Sequence, residues 1–117
     1  MKTHITVQAA VVTMLVAKRP ALAKLPLRWE LRGDGSIRVQ MELHADQALV
    51  PQAAAELARA MRGAREETYD MPENGGTVTR GFQVEGQTSG VRVEFHCYQR
   101  GLRVDEGAAA AEGGEVA

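Results

Sequence analysis

The chain has 117 residues, 44% hydrophobic and 25% charged, enough for one domain with its own core. Its 14 Lys and Arg stand against 15 Asp and Glu, which excludes a grossly polybasic nucleic-acid binder and a polyacidic mimic. A single cysteine, Cys97, excludes an internal disulfide framework and any Cys-rich zinc module.

Near the N-terminus, Lys2 and His4 precede an apolar run from Val7 to Ala17, and Ala21-Leu22-Ala23 has the form of a signal-peptide cleavage site. Gln8 and Thr13 interrupt that run, and Lys18-Arg19-Pro20 places charge where a cleavage region is neutral. The run is also too short to span a bilayer, so a cytoplasmic protein without membrane contact is expected. Thr6 can cap a first helix whose Val7, Val11, Met14, Leu15 and Leu22 recur at helical spacing. Four valines leave a strand open as the alternative, because β-branched side chains suit strands. Pro20 ends or kinks this element.

Leu27, Trp29 and Leu31 alternate with Arg28, Glu30 and Arg32, and Gly33-Asp34-Gly35 follows as a turn. Ile37, Val39, Met41 and Leu43 then alternate with Arg38, Gln40 and Glu42. Period-two patterning on both sides of an Asp-Gly turn predicts an antiparallel hairpin with one apolar and one polar face. Asp46 is a helix cap, Pro51 suits a first turn, and Val50, Ala54, Leu57, Ala58 and Met61 form a helical stripe. Glu56 with Arg59 and Glu66 with Arg62 are spaced for surface ion pairs, and Gly63 is a stop.

A short strand is expected over Thr68–Met71, before the Pro72–Gly76 turn. Val78, Phe82 and Val84 form another alternating run with a bulge expected at Gly81. Val91, Val93, Phe95 and Cys97 supply the last inward face, opposite Arg92, Glu94, His96 and Tyr98. The expected fold is therefore α+β: a two-layer sandwich with a mostly antiparallel sheet of four or five strands and two helices on one face. The order is α-β-β-α-β-β, with room for an extra short strand. Trp29, Leu31, Val39, Met41, Leu57, Met61, Phe82, Val93 and Phe95 are the expected core.

Residues 1–104 form one domain in this reading, and 105–117 form a disordered tail of Ala, Gly and acidic residues without a large side chain to bury. The first 104 residues carry all 14 basic residues but only 11 acidic ones, since Asp105, Glu106, Glu112 and Glu115 lie in the tail.

No catalytic motif, cofactor-binding motif or metal-ligand spacing is present. His4, His44 and His96 lack any H-x-x-x-H or H-E-x-x-H arrangement. His96 adjoins Cys97, but neighbours on a strand point to opposite faces and cannot form a Cys–His pair, so Cys97 reads as a small buried thiol. Arg80 shares parity with Phe82 and would point inward; an edge-strand arginine snorkelling to water is the expectation. The polar sheet face carries the functional content. Arg28, Arg32, Arg38, Arg92, His96, Tyr98 and Arg100 are the candidate binding residues, interleaved with Glu30, Glu42, Glu85 and Glu94.

A solvated face of paired Arg and Glu is the plain reading of that surface. A protein-docking surface is the functional one, since Arg and Tyr are favoured at interfaces, and a phosphate-gripping surface is the alternative, opposed by the interleaved carboxylates. The expected function is a small non-enzymatic accessory or partner-binding protein, acting through this face or an edge strand, with a nucleic-acid module second. Self-association as a homodimer is also expected. The Val91–Tyr98 strand has no guarding proline and would be its seam if it lay at an edge, with Tyr98 as anchor.

The segment from Leu25 to Gly35 (LPLRWELRGDG), with Gly90–Phe95 (GVRVEF) later, resembles short uncharacterised proteins of high-GC, actinobacterial-type genomes. Such proteins often accompany mobile or phage-derived genes. The resemblance implies no activity and transfers no functional residue.

Overall fold

The protein is described from a computed structural model, over residues 4–103. The tail expected over 105–117 lies outside the described residues. Helix α1 (His4–Lys18) leads through a 3-10 turn (Pro20–Lys24) into strands β1 (Leu27–Leu31) and β2 (Ile37–Met41). A second 3-10 turn (Gln47–Leu49) opens helix α2 (Val50–Ala60), and β3 (Arg65–Pro72), β4 (Thr77–Thr88) and β5 (Val91–Arg103) complete the chain.

The sheet order is β1-β2-β5-β4-β3. β5 returns alongside β2 in parallel, with Ile37 opposite Val93 and Val39 opposite Phe95, while the other neighbours run antiparallel. The sheet is therefore mixed, which corrects the expectation of a mostly antiparallel one. The element order is corrected as well, to α-β-β-α-β-β-β. The last three strands form a meander, and its final strand must cross back to reach β2. Alternation along single strands cannot reveal that step, because a parallel neighbour and an antiparallel one demand the same inward parity.

The hairpin expected over 27–43 is present, in the register Trp29 opposite Val39. Asp34 Oδ1 accepts the Ser36 N–H at 2.9 Å and its hydroxyl at 2.6 Å, fixing the turn, and Gly35 takes φ 91°, a left-handed value that glycine adopts without strain. These two bonds hold the Asp34 carboxyl below its usual range. Asp46 caps the turn before α2, its Oδ1 accepting the Ala48 N–H at 2.9 Å.

Both helices pack on one face of the sheet and join a single core. Val11 and Leu15 of α1, Val50 and Leu57 of α2, and Ile37, Val39, Val84, Val93 and Phe95 of the sheet are fully buried. Of the expected core, Leu57, Met61, Val39, Val93 and Phe95 are buried, whereas Trp29, Leu31, Met41 and Phe82 are only half-buried against it. Phe95 sits centrally because β5 is the middle strand.

Two local expectations are corrected, and the expected Glu56–Arg59 pair is present but joined by Arg19. The strand expected at Thr68–Met71 extends over Arg65–Pro72, which puts Glu66 in β3 and not on a helix beside Arg62. Glu56 turns inward on α2 and is bonded by Arg19 Nε at 2.8 Å, with Arg59 at 3.8 Å. The bulge expected at Gly81 lies instead across the ladder. Val78 pairs Leu102 and Arg80 pairs Gln99, so the extra residue is in β5 around Arg100–Gly101, with Gly101 at φ 72°.

Candidate functional site

The face of the sheet opposite the helices is polar and carries most of the residues singled out from the sequence. Strand register sets Arg28 opposite Gln40, Glu30 opposite Arg38, Arg38 opposite Glu94, and His96 opposite Gln83. Arg28, Arg38, Arg92, His96 and Tyr98 are thus brought onto one surface. Arg32 lies past the end of β1, beside Glu30 at 3.6 Å, and Arg100 lies at the other end of the molecule's long strands.

The arginines of this face are already occupied. Glu85 and Glu94 stand directly opposite each other, a like-charge pair that would be unfavourable alone. Arg92 reaches Glu94 at 2.9 Å and Glu85 at 3.7 Å, Arg38 reaches Glu94 at 3.6 Å, and Arg65 reaches Glu85 at 3.7 Å. Arg28 donates to the Gln40 side chain. Each exposed pair contributes little to stability, about 0–1 kcal/mol. Together they neutralise the face locally, so a phosphate would have to displace carboxylates to use Arg38, Arg65 or Arg92.

A ring cluster was missed in part by sequence reasoning. Tyr69 of β3 lies across Gly81 of β4, and its hydroxyl meets His96 Nε2 of β5 at 2.5 Å. The Tyr69 and His96 rings are 5.9 Å apart edge-on, and His96 and Tyr98 are 5.0 Å apart. Burial and the neighbouring Tyr98 push the Tyr69 phenol above its ordinary value. The contact needs the missing side chain of Gly81, since a Cβ there would collide with the Tyr69 ring. A glycine facing an aromatic across two strands was the available signal, but it can be used only once the register is known.

Arg80 corrects the expectation made for it. β4 is an interior strand, so no edge is available for snorkelling. Its guanidinium instead bonds Asp70 of β3 through two contacts, at 2.7 and 3.1 Å, and holds that carboxyl below its usual range. Nearby, Glu73 accepts from Thr77 at 3.0 Å and from the Thr79 hydroxyl, closing the Pro72–Gly76 turn.

The second feature is an edge. β5 is flanked by both β2 and β4 over Val93–Phe95, so the homodimer seam expected along Val91–Tyr98 is closed off over its middle. Beyond Phe95 the β2–β5 register ends, while β5 continues to Arg103 paired with β4 alone. The flank so exposed borders a cleft of about 380 Å³ between the end of β2, the 42–47 loop and the start of α2. Met41, Leu43, Val50 and Cys97 give it apolar walls, and His44, His96, Tyr98 and Arg100 a polar rim. Leu43 is 81% exposed, and His44 takes the left-handed φ of 70°. Gln47 Oε1 accepts the Arg100 N–H at 2.7 Å across the mouth of the cleft.

Cys97 is half-buried in this wall, and burial raises its thiol pKa, which keeps it protonated at neutral pH. Among the described residues no three His, Cys, Asp or Glu side chains are gathered as a metal site would need, and no helix is long and apolar enough to cross a membrane. No family model, curated protein or solved structure matches the chain.

Proposed function

We propose that this is a small non-enzymatic partner-binding protein, which takes an extended segment of a protein partner as an added strand on the open flank of β5. The observation that carries the reading is the Gln47–Arg100 bond. A side-chain carbonyl stands where the backbone carbonyl of a neighbouring strand would stand, and it can be exchanged for one. Strand addition draws affinity from such main-chain bonds and specificity from pockets for alternate side chains. Here the apolar wall of Met41, Leu43 and Val50 would take one large apolar side chain, while Tyr98 and Arg100 at the rim are residue types favoured in interfaces. The protonated Cys97 thiol supports a binding role for the cleft over a nucleophilic one.

Selection of a random displayed peptide library on the full chain tests the proposal. Extended peptides with a single large apolar anchor are expected, and Leu43→Asp should weaken them on the order of tenfold without altering the melting midpoint, because Leu43 is exposed. The second reading, nucleic acid on the open face, is favoured by the Tyr69–His96–Tyr98 rings, which offer stacking surfaces. Tight binding of oligothymidine that collapses with added salt, with no peptide enriched, would replace the first reading by the second.

A further inference from the structure

β1 is an outer strand, and its phase is fixed by two bonds at its ends: Arg32 N–H to Ser36 O at 2.9 Å, and Glu42 N–H to Pro26 O at 2.8 Å. The even-numbered residues Arg28 and Glu30 therefore turn their backbone groups toward β2, and Leu27, Trp29 and Leu31 turn theirs outward. The Leu27 N–H is closed onto Leu25 O at 2.8 Å. Trp29 and Leu31 keep outward N–H and C=O groups.

The sequence of this edge, Leu-Arg-Trp-Glu-Leu, is chemically self-complementary about Trp29. An antiparallel second copy with Trp29 opposite Trp29 sets Arg28 opposite Glu30 twice, and Leu27 opposite Leu31 twice. A shift of one residue would oppose outward backbone groups with inward ones, so no ladder forms. A shift of two would oppose Arg28 with Arg28 or Glu30 with Glu30. One register alone satisfies both backbone and charge. From this geometry we infer that the protein is a two-fold homodimer in which β1 strands join two sheets into one.

Helix α1 supports the same assembly. It lies over β1 and β5 with α2 on one side only, and it has no charged residue between His4 and Lys18. Its buried face is Gln8, Val11 and Leu15, yet the rest is also apolar or small, with Ile5 65% exposed. An outer face without charge loses no ionic solvation when a neighbour covers it. Joining β1 to β1 places the two α1 helices side by side on the same face, where those residues become mutually covered. The seam is separate from the β5 cleft, so either can fail without the other.

The test is a charge exchange at two exposed positions, read by sedimentation equilibrium on the full chain. The wild type is expected at twice the 12.7 kDa monomer mass. Arg28→Glu and Glu30→Arg each create two like-charge contacts and should weaken dimerisation on the order of tenfold. An equimolar mixture of the two single variants restores both opposite-charge contacts and should dimerise again, as should the double variant. Equal melting midpoints of the dissociated variants would show that the fold is kept. A wild-type monomer at ~100 μM, or single variants that dimerise as well as the wild type, would overturn the inference.

Discussion

Gln8 is the residue on which the seating of α1 turns. It is fully buried, and its Nε2 donates to Arg32 O at 2.8 Å and Ser36 O at 2.6 Å, pinning the helix to the hairpin turn. Both acceptors are carbonyls, so only an amide or another donor fits. Gln8→Ala should cost about 1–2 kcal/mol for the two lost bonds, measured by urea unfolding. Gln8→Glu should cost more, because a carboxylate would face two carbonyls in a buried place. Its folded-state pKa would be raised, so the loss should deepen as pH rises through the carboxylate range and shrink below it. From sequence alone Gln8 read as an interruption in an apolar run; its role was hidden because its partners lie 24 and 28 residues away.

Glu56 gives the acid limb of stability. The Arg19 hydrogen bond holds its carboxyl below the usual range, with Arg19 and Arg59 charges adding to the effect and burial opposing it. A carboxylate with a lowered folded pKa stabilises above its unfolded value, and the contribution is lost as pH falls through the folded one. Asp70 beside Arg80 and Glu73 beside Thr79 behave in the same direction. The unfolding midpoint should therefore fall on acidification below about pH 4.5, and Glu56→Gln should flatten that fall while lowering the midpoint at neutral pH. A variant with an unchanged acid limb would contradict the pairing.

At the scale of elements, the strands show which signals a sequence carries. The β1–β2 hairpin was legible down to its turn, since local alternation and Gly-Asp-Gly are contained within one stretch of chain. The parallel return of β5 was not, because pairing across more than fifty residues leaves no local mark (Ile37 meets Val93). That return buries Phe95 at the centre, and Phe95→Ala should cost about 3–5 kcal/mol, enough to threaten folding of a domain this size. β3 and β4 are joined through Tyr69 lying over Gly81. Gly81→Ala should dislodge the Tyr69 ring and break its bond to His96, visible as a shift of the His96 ring resonances with the strand pairing retained. Unmoved His96 resonances would contradict the contact.

Across the whole molecule, the polar face that the sequence made conspicuous is largely self-satisfied, its arginines held by Glu85 and Glu94. The open features are edges: the outer strands β1 and β3, and β5 beyond the reach of β2. None could be located from alternation, which gives facing but not neighbours. A short β2 beside a long β5 is the physical origin of the cleft, and the Gln47 side chain bonds the Arg100 N–H across it.

Backbone amide exchange resolved by residue, in the full chain free and saturated with a selected peptide, tests strand addition most directly. The account predicts slowed exchange at Tyr98 and Arg100, whose N–H groups share the open flank of β5, with little change at Val93 and Phe95, which are already enclosed by neighbouring strands. Unchanged exchange at Tyr98 and Arg100, with perturbation confined to Arg38, Arg92 and the Tyr69 ring on the open face, would contradict it.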